Sequence, residues 1–348
     1  MFDALRFRLK DRNLLTLVKL AEVGLLGRFA STYCYNRPSH VYLELTARCN
    51  LRCGWCIQAH SDFREGHTED MPFEMFEEIV SGLRGTKVLY LCLNGEPLLY
   101  DRIVDAVALA RRTIPSVRFV TNGLLLDRDV AKELKQAGLS ELGVSIDGTD
   151  PELMERIRGL SLETVVQNVT SFSRQTGIPV EVRSAICKEN LSSLMSLPEL
   201  VRRFPTGRSL YFTLAEGLDE VEKSPMTMLR DRAAFEEFKR TVVSKCREYG
   251  LQTNLGYMQF YADGFFSKTR QGRCDSLFGR HLAINHRGHI LPCCRYWGAT
   301  LDSIAGTSFP AAWNGPGARA WRQKMLNGEF TPECANWCGF SPAYNQQT

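Results

Sequence analysis

Cys49-Asn50-Leu51-Arg52-Cys53-Gly54-Trp55-Cys56 puts three thiols within eight residues, with three residues in the first gap and two in the second. Soft thiolates select iron–sulfur clusters, zinc or Cu(I). A structural zinc site closes with four ligands, often from Cys-x-x-Cys pairs, and a zinc site here would need His60 or His67 to complete it. Three ligands alone suit a cubane [4Fe–4S] cluster with one iron left unligated by protein. An open iron can bind a substrate or cofactor, which turns an electron carrier into a catalyst.

The apolar run 41–46 leads straight into this loop and reads as a strand. Outward from it, residues 39–249 alternate short β-branched runs with longer amphipathic stretches. Strands are expected at 41–46, 87–93, 117–121, 141–146, 179–187 and 208–214. Helices are expected near 72–84, 102–113, 128–137, 162–175, 192–204 and 231–249. Strands alternating with helices of this length make an α/β chain of βα units around a parallel sheet, and six units fit a partial (β/α)6 barrel. Function in parallel barrels sits at the C-terminal ends of strands, where the cysteine loop falls.

Residues 1–38 read as an N-terminal helical extension, with Leu14, Val18, Ala21 and Leu25 at helical spacing and Arg37-Pro38 as the break. From 250 to 348 the texture changes. Glycine, aromatic residues and cysteine rise, helical periodicity fades, and a second, smaller unit is expected. Its cysteines are Cys274, Cys293, Cys294, Cys334 and Cys338, and the segment 284–293 reads as a hairpin turning near Arg287-Gly288.

The chain has 348 residues, enough for a sizeable core, and a formal charge of +4 with no block of like charge, so composition implies no nucleic-acid partner. Arg6, Arg8, Lys10 and Arg12 interrupt any signal-peptide core. No stretch approaches the ~18 apolar residues that span a bilayer. Twelve clustered cysteines without a secretory signal point to a reducing, cytoplasmic setting and to metal binding rather than disulfides.

Cys-x3-Cys-x2-Cys with Trp55 before the last thiol, and the lead-in Tyr42-Leu43-Glu44-Leu45-Thr46, resemble the signature of the radical S-adenosylmethionine (radical SAM) superfamily. The resemblance implies that Cys49, Cys53 and Cys56 hold a [4Fe–4S] cluster whose open iron chelates the amine and carboxylate of SAM. One electron then cleaves the sulfonium, and a 5'-deoxyadenosyl radical removes hydrogen from substrate. Clusters span roughly −700 to +450 mV, and this reduction needs the low end. A low-potential reductase such as flavodoxin or ferredoxin is the implied partner.

Asn94-Gly95-Glu96-Pro97 resembles the family's Gly-Gly-Glu-Pro segment, with Asn94 in place of the first glycine. Glu96 is then the carboxylate that meets the SAM ammonium. Asn122 after the third strand, Ser145 and Asp147 after the fourth, and Arg183 on the fifth resemble positions near SAM, Arg183 as partner of its carboxylate. Asn-Gly and Asp-Gly are also ordinary turn dipeptides. Arg183, Ala185 and Cys187 share one strand face. If that face lines the lumen, Cys187 is a candidate hydrogen donor to a substrate radical, although a small buried thiol is the plainer account, as for Cys34, Cys92 and Cys246.

Cys274, Gly288-x4-Cys293 and Cys334-x3-Cys338 resemble the SPASM/twitch extension of these enzymes, with fewer cysteines than a full SPASM motif. One auxiliary [4Fe–4S] cluster on Cys274, Cys293, Cys334 and Cys338 is expected, and a four-cysteine zinc site would use the same residues. The substrate expected from the resemblance is a small polar molecule, a sugar or aminocyclitol oxidised or epimerised at a carbinol carbon. The alternatives are a peptide-modifying maturase and a non-catalytic electron carrier. Tyr211, Thr213 and Glu216 are candidate substrate contacts.

Overall fold

The computed structural model describes residues 32–34, 37–56, 68–214, 232–256, 281–294, 300–327 and 329. The expected N-terminal helix, His60, His67, Glu216, Cys274, Cys334 and Cys338 lie outside the described residues. No helix among the described residues is long and apolar enough to cross a membrane.

Nine strands form one sheet: β1 (His40–Leu43), β2 (Val88–Tyr90), β3 (Ser116–Thr121), β4 (Glu141–Ser145), β5 (Val180–Ile186), β6 (Gly207–Leu214), β7 (Gln252–Thr253), β8 (His281–Ile284) and β9 (Ile290–Leu291). Their spatial order is β7-β6-β5-β4-β3-β2-β1-β8-β9. Neighbours are parallel except β8 and β9, which form a hairpin. Parallel neighbours need crossovers. These are α1 (Phe73–Gly82), α2 (Ile103–Arg111), α3 (Arg128–Ala137), the pair α4 (Pro151–Arg158) and α5 (Leu162–Thr176), the pair α6 (Leu191–Leu194) and α7 (Leu197–Arg202), and α8 (Arg232–Glu248). Two more helices, α9 (Phe309–Trp313) and α10 (Pro316–Leu326), follow the hairpin. This is the α/β partial barrel expected from the alternation of elements.

The strands have two chemically different faces. Val117 and Phe119 of β3, and Val180, Val182 and Ile186 of β5, are fully buried beneath the helices. The opposite face is polar. Arg118 Nη1 pairs with Glu141 at 2.6 Å and Arg183 Nε with Glu181 at 2.6 Å. The Tyr42 and Tyr90 rings stack at 4.8 Å, and the Arg183 guanidinium sits 5.1 Å from Tyr90 and 4.8 Å from Tyr211. Parallel strands covered on both sides normally read as continuous apolar runs. A polar inner face therefore marks a lumen available for chemistry rather than a second core.

Several elements depart from the expectation. Helix α4 has no counterpart in it, yet its ends are well marked: Asp150 Oδ1 accepts from the Glu152 and Leu153 amides at 3.0 and 3.3 Å, and Pro151 opens the first turn. The single helix expected at 192–204 is two, because Pro198 lacks an N–H and is accepted only in a first turn. The 284–293 hairpin forms as expected, with its turn at Arg287-Gly288, but its first strand does not stand apart. β8 pairs in register with β1, His40 opposite His281 through Leu43 opposite Ile284, and covers an edge that would otherwise be open. α9 and α10 also stand where helical periodicity was expected to fade.

Candidate active site

The approach to the first thiol is clamped. Arg48 makes a two-point contact with Asp70, Nε to Oδ1 at 2.9 Å and Nη2 to Oδ2 at 2.5 Å, and its Nη2 also donates to the Leu99 carbonyl at 2.6 Å. Thr46 Oγ1 donates to the same Asp70 Oδ1 at 2.6 Å. Downstream, the Gly54 amide donates to the Ile157 carbonyl at 3.0 Å, docking the cysteine loop on the end of α4. Cys49, Cys53 and Cys56 form no disulfide with one another, Cys53 buried and the other two half-buried, with Trp55 packed against the core beside them.

Burial pushes the Cys49 thiol up to about 12, and Glu96, Cys56 and Cys53 add to the rise. Cys53 is also raised by burial, against the pull of Arg158. Neighbouring sulfurs that oppose one another's ionisation call for cationic metal to become thiolates. Among the described residues no group of three or more His, Cys, Asp or Glu side chains converges as around a single metal ion. A cubane makes no such demand, because each thiolate binds its own iron. Three soft thiolates are donors that fit an iron–sulfur cluster.

Gly95 is dictated by space. A Cβ there would lie 2.1 Å from the Thr46 carbonyl oxygen and 2.8 Å from that of Arg48, so only glycine lets the two loops touch. The Glu96 amide donates to the Arg48 carbonyl at 2.8 Å and completes the seam. The Glu96 carboxylate is buried. Oε1 accepts from Thr121 Oγ1 at 2.7 Å and the Leu98 amide at 3.2 Å, and Oε2 from the Asn122 amide at 2.8 Å. Burial raises its pKa despite these bonds. An ionised carboxylate has about four acceptor sites, so room for another donor remains.

Asn122 is buried at the end of β3. Its Nδ2 donates to Asn50 Oδ1 at 2.7 Å and its Oδ1 accepts from the Leu124 amide, so it ties β3 to the cysteine loop. Ser145 ends β4 half-buried, in register with Arg183. Arg183 spends Nε on Glu181 and lies between two tyrosines deep in the lumen, and burial alone would lower its pKa, but Glu181 above all holds it raised. Asp147 is fully buried. Its Oδ1 accepts from the Ala185 amide and its Oδ2 from Arg158 Nε, both at 2.6 Å. Cys187 follows β5 half-buried, its amide donating to Asn190 Oδ1 at 2.8 Å, and burial raises its thiol pKa.

Three residues that the sequence reading passed over join the site. Glu44 and His286 are both buried, and Glu44 Oε2 lies 2.7 Å from His286 Nδ1. Glu44 Oε1 accepts from Asn94 Nδ2 at 2.8 Å. The asparagine that replaces a glycine is thus tied through one carboxylate to the C-terminal hairpin. The third is Arg158, at the end of the unforeseen α4. The Asp-Pro opening and Gly159 closing that helix were the available signals.

A family model described as the Radical SAM superfamily matches residues 43–195, from β1 through α6. A second, for the SPASM iron–sulfur cluster-binding domain, matches residues 274–339. The chain belongs to the radical SAM superfamily. As a radical SAM enzyme with a C-terminal SPASM region, its cofactors are SAM and iron–sulfur clusters. It is 25% identical over 302 residues to the PqqA peptide cyclase of Rhodopseudomonas palustris, covering 85% of this chain and 76% of that protein. It is 29% identical over 321 residues to the tungsten-containing aldehyde ferredoxin oxidoreductase cofactor-modifying protein of Pyrococcus furiosus, covering 86% and 83%. The fold is similar to the crystal structure of Streptococcus suis SuiB, with a TM-score of 0.69 and 16% identity over 88% of this chain and 72% of that one.

Proposed function

We propose that this radical SAM enzyme modifies a peptide, removing hydrogen from a C–H bond of one of its residues. The observation that carries the reading is similarity to a peptide cyclase over 85% of the chain. The relatives named above act, by their names, on a peptide and on an enzyme cofactor. The sugar or aminocyclitol substrate expected from the sequence has no counterpart there, and the peptide-modifying alternative takes its place.

Cys49, Cys53 and Cys56 hold one cluster, and Cys293 with Cys274, Cys334 and Cys338 holds an auxiliary one. When bound, the first cluster and SAM supply one-electron cleavage and hydrogen abstraction, with the electron drawn from a flavodoxin or ferredoxin. Glu96 uses its remaining acceptor site for the SAM ammonium. Asn94 and Gly95 shape the turn that presents it, and Trp55 and Ser145 line the cofactor. Arg183 takes the SAM carboxylate through the terminal nitrogens it does not spend on Glu181. Asn122 and Asp147 act by bracing the cysteine loop, Asn122 through Asn50 and Asp147 through Arg158. Cys187 is the hydrogen donor in any outcome that inverts a carbon, and Tyr211 and Thr213 on β6 contact substrate.

The test is anaerobic. The reconstituted protein is given SAM, dithionite and the small-molecule and peptide pool of a producing cell, and release of 5'-deoxyadenosine is measured. Stimulation that is abolished by protease treatment of the pool supports the reading. Stimulation that survives protease but is lost after periodate cleavage of vicinal diols sinks it in favour of a sugar or cyclitol.

A further inference from the structure

Arg158 closes α4 because Gly159, at φ 68°, takes the left-handed conformation that stops the helix. Its guanidinium is nearly removed from solvent, with 13% of the side chain exposed, and Nε donates to the fully buried Asp147 carboxylate at 2.6 Å. The same guanidinium extends Nη1 to Cys53 Sγ at 3.8 Å. The helix end cannot swing away from the loop, since the Ile157 carbonyl accepts the Gly54 amide at 3.0 Å. Asp147 is itself anchored to β5 through the Ala185 amide. A permanent cation is therefore braced from two sides against one sulfur of the three-thiol loop.

We propose that Arg158 is a positioning residue whose fixed positive charge, held by Asp147 against Cys53 Sγ, raises the reduction potential of the cluster on Cys49, Cys53 and Cys56. Adding an electron makes that cluster more negative, and a nearby cation in a dry setting stabilises the reduced form more than the oxidised one. Donation to a cluster sulfur acts in the same direction. Arginine suits the task because it stays protonated and its planar fork reaches a carboxylate and a sulfur together. The inference rests on the three-thiol cluster and is independent of which substrate the enzyme takes.

The experiment is a mediated redox titration of anaerobically reconstituted full-length protein. It follows the electron paramagnetic resonance signal that changes on addition of SAM, which separates this cluster from the auxiliary one. Iron and sulfide are measured in parallel. At the wild-type midpoint potential, Arg158→Gln should lower the reduced-to-oxidised ratio about tenfold, equivalent to about 59 mV for one electron. Arg158→Lys, which keeps the charge, should stay within about threefold of wild type. An iron-loaded Arg158→Gln with an unchanged midpoint overturns the proposal. So does a shift of equal size in both variants, because lost shape rather than lost charge would then be responsible. If the glutamine variant takes up no iron, the lysine variant decides alone: a loaded cluster with a near-wild-type midpoint supports the proposal, and a tenfold shift overturns it. A wild-type protein without a SAM-responsive signal instead removes the cluster reading itself.

Discussion

Glu44 Oε2 lies 2.7 Å from His286 Nδ1 although 242 residues separate them in sequence. The carboxylate also accepts the His286 amide at 3.2 Å and, through its other oxygen, Asn94 Nδ2 at 2.8 Å. One buried side chain thus joins the strand that leads to the cysteines, the turn before Glu96, and the hairpin that carries Cys293.

Glu44→Ala leaves several buried donors without their acceptor and should cost about 3 kcal/mol or more, the range for breaking a buried polar pair. Glu44→Gln should cost less, because one oxygen persists while the amide faces a backbone N–H. Urea unfolding of the two variants checks the order, and equal stability of Glu44→Ala and wild type would refute the bridging role.

Gly95→Ala drives a methyl into the Thr46 and Arg48 carbonyls. The expected loss is about 2–3 kcal/mol, the upper part of the overpacking range. Because the seam lies one residue before Cys49, iron incorporation should fall along with the melting temperature. A stably folded Gly95→Ala with full iron content would show that the two loops part without consequence.

Burial raises the Glu96 pKa in the folded protein. Burial disfavours the charged form, so the group's contribution to stability is present below the ordinary carboxylate range and is lost as pH rises through the folded pKa. The difference in melting temperature between SAM-free wild type and Glu96→Gln should therefore grow in the variant's favour as pH rises through that window. Added SAM should reverse the advantage at neutral pH if its ammonium meets Glu96. A pH-independent difference would contradict the burial argument.

Much of this arrangement is legible in the chain itself. Val117, Phe119, Val180 and Val182 alternate with polar neighbours, and that two-residue period sets the strands and both their faces. Three thiols at short spacing announce metal because cysteine has few other reasons to cluster in a chain without disulfides. The partner of β8 is not legible, since strand pairing across more than 200 residues leaves no local period. Glu44 is hidden for a related reason: a carboxylate at a strand end looks like any solvated charge until His286 and Asn94 arrive from elsewhere. Helix α4 is short, and its apolar positions Leu153, Met154 and Ile157 give a weak stripe, so only its caps betray it.

Asn122→Ala removes the donor that holds Asn50 Oδ1 at 2.7 Å inside the cysteine loop. A stability loss of about 1–3 kcal/mol is expected from the stranded amide. The more specific readout is faster loss of iron to a chelator than in wild type. An unaltered rate of iron loss would mean that the loop holds its shape without β3.

β1 lies between β2 and β8, bonded to both along its length. Ending the chain after residue 256 would strip one whole side of that strand and leave a row of bare amides and carbonyls beside the three thiols. Such a fragment would recruit strands from other molecules, so the barrel and the region after it do not separate into independently usable pieces.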